Sequence, residues 1–144
     1  MEFVDGPFLK TDAKRLKKIK SLVQDVQAHR KYLSGKFWEL NNSPKYFVPT
    51  SKATFYDETH EDGVRIMVCK FRQVTTNPRK DKSGGLRIIA VIVYSNEAPI
   101  KYIPLIVYSA DEEKSFISCD GKQYKVTKAG IANLVKHRLE SLTT

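Results

Sequence analysis

The chain predicts an α+β fold: a small, mainly antiparallel sheet with N-terminal helices packed on one face and a further helix at the C-terminus. Two observations lead there. Three apolar runs of strand length follow one another between residues 64 and 109, separated by short turn signals, and stretches of helical period flank them on both sides. The 144 residues suit one domain, 1–144, and 41% hydrophobic with 28% charged residues is an ordinary globular balance.

In "KTDAKRLKKIKSLVQDVQAHRKYL", Leu16, Ile19, Val23, Val26 and Leu33 recur near helical spacing, with Leu22 flanking the stripe. Thr11 or Asp12 is placed to cap its start, because a side-chain oxygen there satisfies free backbone N–H groups. Lys14, Arg15, Lys17, Lys18 and Lys20 crowd the positive end of the helix dipole, which works against helix stability; they serve either a solvated face or an anionic partner. The helix should break near Ser34-Gly35.

Residues 36–62 form a long, aromatic-rich middle segment interrupted by Pro44 and Pro49, with a short helix or turn around "FWEL" and an extended stretch after it. Trp38 reads as a core anchor or a stacking surface. Asp62-Gly63 is a turn signal leading into "VRIMVCKFRQV", which alternates at first and becomes ambiguous in phase at Lys70-Phe71-Arg72. The basic loop "TTNPRKDKSGG", the strand "LRIIAVIVY", the turn "SNEAP" and the strand "IKYIPLIVYS" complete an antiparallel meander. The second of these strands is apolar on both faces, as an inner strand is. Pro104 cannot donate to a ladder and implies an edge or a bulge. Finally "DGKQYKVTKAGIANLVKHRLESL" turns into a helix over 127–142, capped by Thr127. Its stripe is Ile131, Leu134, Val135, Leu139 and Leu142, with Lys136, His137 and Arg138 toward the negative end of the dipole.

Several function classes find no support. No apolar run approaches the ~20 residues of a membrane span, and "MEFVDGPFLK" lacks a secretory apolar region, so a cytoplasmic protein is expected. Cys69 and Cys119 are 50 positions apart without a CxxC or a nearby histidine, which suits two reduced structural thiols rather than a metal or redox site. His29, His60 and His137 have no partner in view and read as surface residues. The nucleotide-binding, zinc-protease and serine-hydrolase signatures are missing, and no cofactor is expected.

The net charge of +9 points toward a polyanion, nucleic acid before membrane. Six positive groups, Lys70, Arg72, Arg79, Lys80, Lys82 and Arg87, fall within 18 residues against one acid, Asp81. Pairing the two strands brings Lys70 and Arg72 near Arg87. A cationic surface carried partly on strands is preorganised for phosphate. With RNA bound, those charges would also stabilise the phosphorane formed when a ribose 2′-hydroxyl attacks its own phosphate, given a group to move protons. The alternative is structural: Arg87 pairing Glu97 or Glu112, and Lys70 with Arg72 as a charged edge that discourages aggregation.

"KSGGLRIIAVIV…IKYIPLIVYSADEEKSF", preceded by "VRIMVCKFR", resembles the core of the RelE/HigB/ParE superfamily of bacterial toxins. The resemblance covers about residues 64–117, is looser over 1–35 and poor over 36–60. It lies in the order of short motifs: a K-x-R strand, a basic loop ending in G-x-R, an apolar strand, and a strand ending in a tyrosine. It implies a compact sheet with helices on one face, a neutralising antitoxin, and in the RelE and HigB branches cleavage of mRNA in the ribosomal A site. By position, Arg87 matches the phosphate-contacting arginine, Lys70 and Arg72 the basic strand pair, and Tyr108 the tyrosine closing the last strand. Where many members carry a basic residue or histidine after that tyrosine, this chain has Ser109, Ala110 and Asp111; Asp111 is then either the proton acceptor or a solvated strand-end acid. Arg79, Lys80 and Lys82 would hold flanking RNA, and Lys14, Arg15, Lys17 and Lys18 ribosomal RNA. The expectation is a metal-independent endoribonuclease that arrests translation, with a ParE-like gyrase inhibitor or a plain RNA-binding module as the alternative.

Overall fold

A computed structural model describes residues 2–16, 22–34, 53–61, 64–73, 85–95, 98–113, 115–119 and 121–143. The chain is α+β. Strands β1 (Glu2–Phe3), β2 (Ala53–Glu61), β3 (Val64–Gln73), β4 (Leu86–Ser95) and β5 (Ala98–Ser109) form one sheet in the order β1-β5-β4-β3-β2. Every pairing is antiparallel except β1 with β5. Helices α1 (Leu9–Arg15) and α2 (Leu22–Ser34) precede β2. A separate hairpin, β6 (Phe116–Cys119) and β7 (Lys122–Lys125), leads into α3 (Lys128–Thr143).

The meander expected over 64–109 is present, and β2 extends it by one strand, with Glu61 opposite Val64. The uncertain phase in β3 resolves as unbroken alternation: Met67, Cys69 and Phe71 are buried on one face while Val68 packs on the other. β4 is the central strand and is buried on both faces, which explains its lack of polar alternation. Pro104 sits at a bulge. Ile89 pairs Ile106 and Ala90 pairs Pro104, so Leu105 is the extra residue and the proline's missing N–H falls where the ladder is already interrupted.

Each face of the sheet has its own cover. Leu16, Leu22 and Val26 of the N-terminal helical region meet Leu86, Ile88 and Val107. Ile131, Leu134 and Val135 of α3, with Ile117 and Val126, meet Val68, Ile89, Val91 and Ile106 opposite. Helices therefore cover both faces, not the one that the family resemblance implied. The single N-terminal helix is corrected to two, α1 ending at Arg15 and α2 starting at Leu22. On α2 the apolar stripe runs through Leu22, which is buried, and not through Val23, which is 65% exposed.

Other expectations change with burial. Thr11 and Asp12 do not cap α1; its N-cap is Phe8, and Asp12 is buried inside the first turn. His29 is buried, not on the surface. Its Nε2 lies 2.6 Å from the Tyr102 hydroxyl, and its ring packs against Phe71. Burial, then the nearby charge of Arg30, lowers the His29 pKa to about 3, so this imidazole is neutral at physiological pH. Thr127 does cap α3, its Oγ accepting from the Gly130 N–H at 3.2 Å. Gly130 is required by close approach: a Cβ there would stand 1.9 Å from the Lys125 carbonyl oxygen. Trp38 and the "FWEL" segment lie outside the described residues. Both cysteines are free thiols, and no described helix is long and apolar enough to cross a membrane.

Candidate functional site

Strand register assembles the corner. Arg72 stands opposite Arg87, Arg87 opposite Tyr108, and Lys70 opposite Ile89. Lys70 Nζ lies 5.6 Å from the centroid of the Tyr108 ring. Lys70, Tyr108 and Arg87 therefore share the sheet face that α3 covers further along, at the end where β4 begins and β5 finishes. A loose cationic loop could not fix these positions; hydrogen-bonded strands do.

Arg87 is only 8% exposed, and its Nε donates to Glu113 Oε1 at 3.0 Å. Of the alternative pairings, Glu97 lies outside the described residues and Glu112 gives way to Glu113, whose side chain is 44% exposed. Among the described residues, Nε is the one guanidinium nitrogen with a partner. The sequence reading missed Glu113, although a signal for its position was present. Ser109-Ala110-Asp111-Glu112 is a capping-box pattern. Its backbone forms a 3-10 turn over Ala110–Glu112, in which the Ser109 N–H donates to Glu112 Oε1 at 3.0 Å. The Ala110 N–H donates to the Gly85 carbonyl at 3.0 Å, tying the turn to the start of β4, and the Glu113 N–H returns to the Ala110 carbonyl at 3.1 Å. The turn thus delivers Glu113 to Arg87 and leaves Asp111 exposed.

A second charged group braces this turn from below. Arg15, expected on RNA, is turned inward: its Nε donates to Glu112 Oε2 at 2.8 Å, its Nη1 to Asp12 Oδ1 at 2.7 Å, and its Nη2 to the Val107 carbonyl. Asp12 also accepts the Val107 N–H at 2.8 Å and two bonds from Arg138, at 2.8 and 3.1 Å. Arg138 donates in turn to the Leu105 carbonyl at 2.9 Å. It is only 1% exposed, so its expected service to the α3 dipole is corrected to a buried ion pair. Burial acts to lower its pKa, but the hydrogen bonds and charge of Asp12 outweigh this and raise it, so the cation persists. These side chains satisfy the backbone edge of β5 beyond the two residues that β1 covers.

Of the remaining expected contacts, Lys14 is exposed on α1. Lys17, Lys18, Arg79, Lys80 and Lys82 lie outside the described residues, as does the side chain of Arg72. Among the described residues no three His, Cys, Asp or Glu side chains gather into a metal-binding group. No family model matches the chain, and no curated protein or solved structure matches it.

Proposed function

We propose that the chain is the toxin of a toxin–antitoxin module of RelE/HigB type, an mRNA interferase that inhibits translation by cutting mRNA on the ribosome. One observation supports the reading: strand pairing sets Lys70, Arg72, Arg87 and Tyr108 at one corner of a basic α+β protein, the positions that the sequence resemblance matched to the phosphate-contacting arginine, the basic strand pair and the strand-closing tyrosine. In this reading Arg87 grips the scissile phosphate through the guanidinium nitrogens that Glu113 does not use. Lys70 and Arg72 offset the charge that builds on the phosphate oxygens, and Tyr108 is the ring against which Lys70 rests. Arg79, Lys80 and Lys82 hold flanking nucleotides, while Lys14, Lys17 and Lys18 face ribosomal RNA. The partners are a cognate antitoxin, the ribosome and mRNA in the cytoplasm. Attack by the 2′-hydroxyl needs neither metal nor cofactor.

Induced expression with mapping of transcript 5′ ends tests this. The wild type should create new ends within translated frames, and Arg87→Ala should create none while its circular dichroism is unchanged. Full toxicity in a folded Arg87→Ala protein overturns the reading.

A second reading, a non-catalytic gyrase inhibitor or RNA-binding module, is favoured by the burial of Tyr108 and by the bond from Arg87 to a carboxylate. It predicts growth arrest without new transcript ends. Accumulated DNA cleavage complexes would then mark the gyrase form.

A further inference from the structure

We infer that Glu113 is the general base of the cleavage step, an inference that rests on the endonuclease reading above. The chemistry calls for a group that removes the 2′-hydroxyl proton, and the carboxylate bonded to Arg87 is that of Glu113, not that of Asp111, the acid considered from sequence. Glu113 has the placement instead. Its Oε1 is 3.0 Å from Arg87 Nε, and its side chain is 44% exposed, so the carboxylate is both anchored and open to a ligand. A phosphate held by the terminal nitrogens of Arg87 would sit beside it, because one guanidinium is a flat fork with all its donors in one plane.

Anchoring is what separates Glu113 from an ordinary surface acid. The turn that carries it is fixed at four points: Ala110 to Gly85, Ser109 to Glu112, Glu112 to Arg15, and Ser115 N–H to the Glu112 carbonyl at 2.9 Å. Arg15 is itself bound to the buried Asp12. A base needs this kind of support, since an error of about an ångström in position is enough to lose most of its effect.

The step balances with water as the only other participant. Glu113 takes the proton of the 2′-hydroxyl as that oxygen bonds to phosphorus, and the bond from phosphorus to the 5′-oxygen breaks. The departing 5′-oxygen takes a proton from water, and Glu113 returns its proton to the hydroxide so formed. The products are a 2′,3′-cyclic phosphate and a 5′-hydroxyl, with no change of oxidation state.

The test is Glu113→Gln in the full chain, assayed for ribosome-dependent cleavage of a defined mRNA. The amide oxygen still accepts the Arg87 N–H bond, so the clamp on the arginine is retained. We expect kcat to fall about 10²- to 10⁴-fold with KM nearly unchanged. The decline of wild-type kcat toward acid pH should vanish in the variant, and Glu113→Asp should recover part of the rate. Cyclic-phosphate ends should fall in step with kcat. Unchanged or increased kcat in Glu113→Gln, or an acid limb that survives there, overturns the assignment while leaving the endonuclease reading intact. A wild-type chain that binds ribosomes and makes no new ends overturns both.

Discussion

Asp12 offers the sharpest test of what holds the structure together. It is fully buried and accepts from Arg138, Arg15 and the Val107 N–H. Asp12→Leu leaves Arg138, 1% exposed, as a charge without its counter-ion. Breaking one side of a buried pair costs about 3–5 kcal/mol, because the surviving charge keeps its desolvation penalty and loses the attraction. The Val107 N–H loses its acceptor as well, a further penalty of about 1–3 kcal/mol that overlaps with the first. A loss of about 4 kcal/mol is therefore expected, roughly 10 °C in Tm for a chain of this size. Urea denaturation followed by circular dichroism measures it. The double variant Asp12→Leu/Arg138→Met removes both charges and should lose about 2 kcal/mol less than the sum of the two single losses. Single losses below about 1 kcal/mol, or a double loss equal to that sum, would show that the pair does not hold the edge of β5.

Two further perturbations follow from the core. His29 has its pKa lowered to about 3 by burial and by Arg30, against an ordinary 6.5 in the unfolded chain. The unfolded state alone takes up this proton between those values, so stability is full above pH 6.5 and is lost as pH falls below it. Going from pH 7.5 to pH 5 should cost about 2 kcal/mol, and His29→Phe should remove that part of the slope; an unaltered slope refutes it. Gly130→Ala would ordinarily favour a helix by about 1 kcal/mol, but its Cβ would meet the Lys125 carbonyl oxygen at 1.9 Å. A net loss of about 1–3 kcal/mol is expected in the same urea assay, and a stabilised variant would refute the close approach.

The strands were legible because they are long and apolar, with punctuation that has a mechanism. Pro104 announced the bulge, and Thr127 the cap of α3. The hairpin of β6 and β7 was not, since four-residue strands with mixed polarity leave too short a pattern. The inward turn of Asp12 and Arg138 was hidden for another reason. Their sequence neighbourhoods read as a helix start and a helix end, where acids and bases are ordinary, while the partner that claims each lies 126 positions away. The same holds for His29, whose partner Tyr102 is 73 positions distant. At the candidate site, register was readable to the extent of bringing Lys70 and Arg72 toward Arg87. The identity of the carboxylate was not, because it depends on a single turn whose phase decides among Glu112, Glu113 and Asp111.

That turn links the fold to the candidate site more closely than the sheet does. An edge strand needs its outward N–H and C=O groups covered, and β5 obtains cover from β1 over only two residues. Charged side chains from α1 and α3 finish the task at Leu105 and Val107, where a longer first strand would otherwise have paired. A strand, however, would have ended at the edge. Arg15 instead continues past it, spending its Nε on Glu112 and so fixing the residue next to the one that holds Arg87. Sealing the edge with a bifunctional guanidinium therefore extends the rigidity of the buried core to a partly exposed carboxylate, at the corner that carries Lys70 and Arg87.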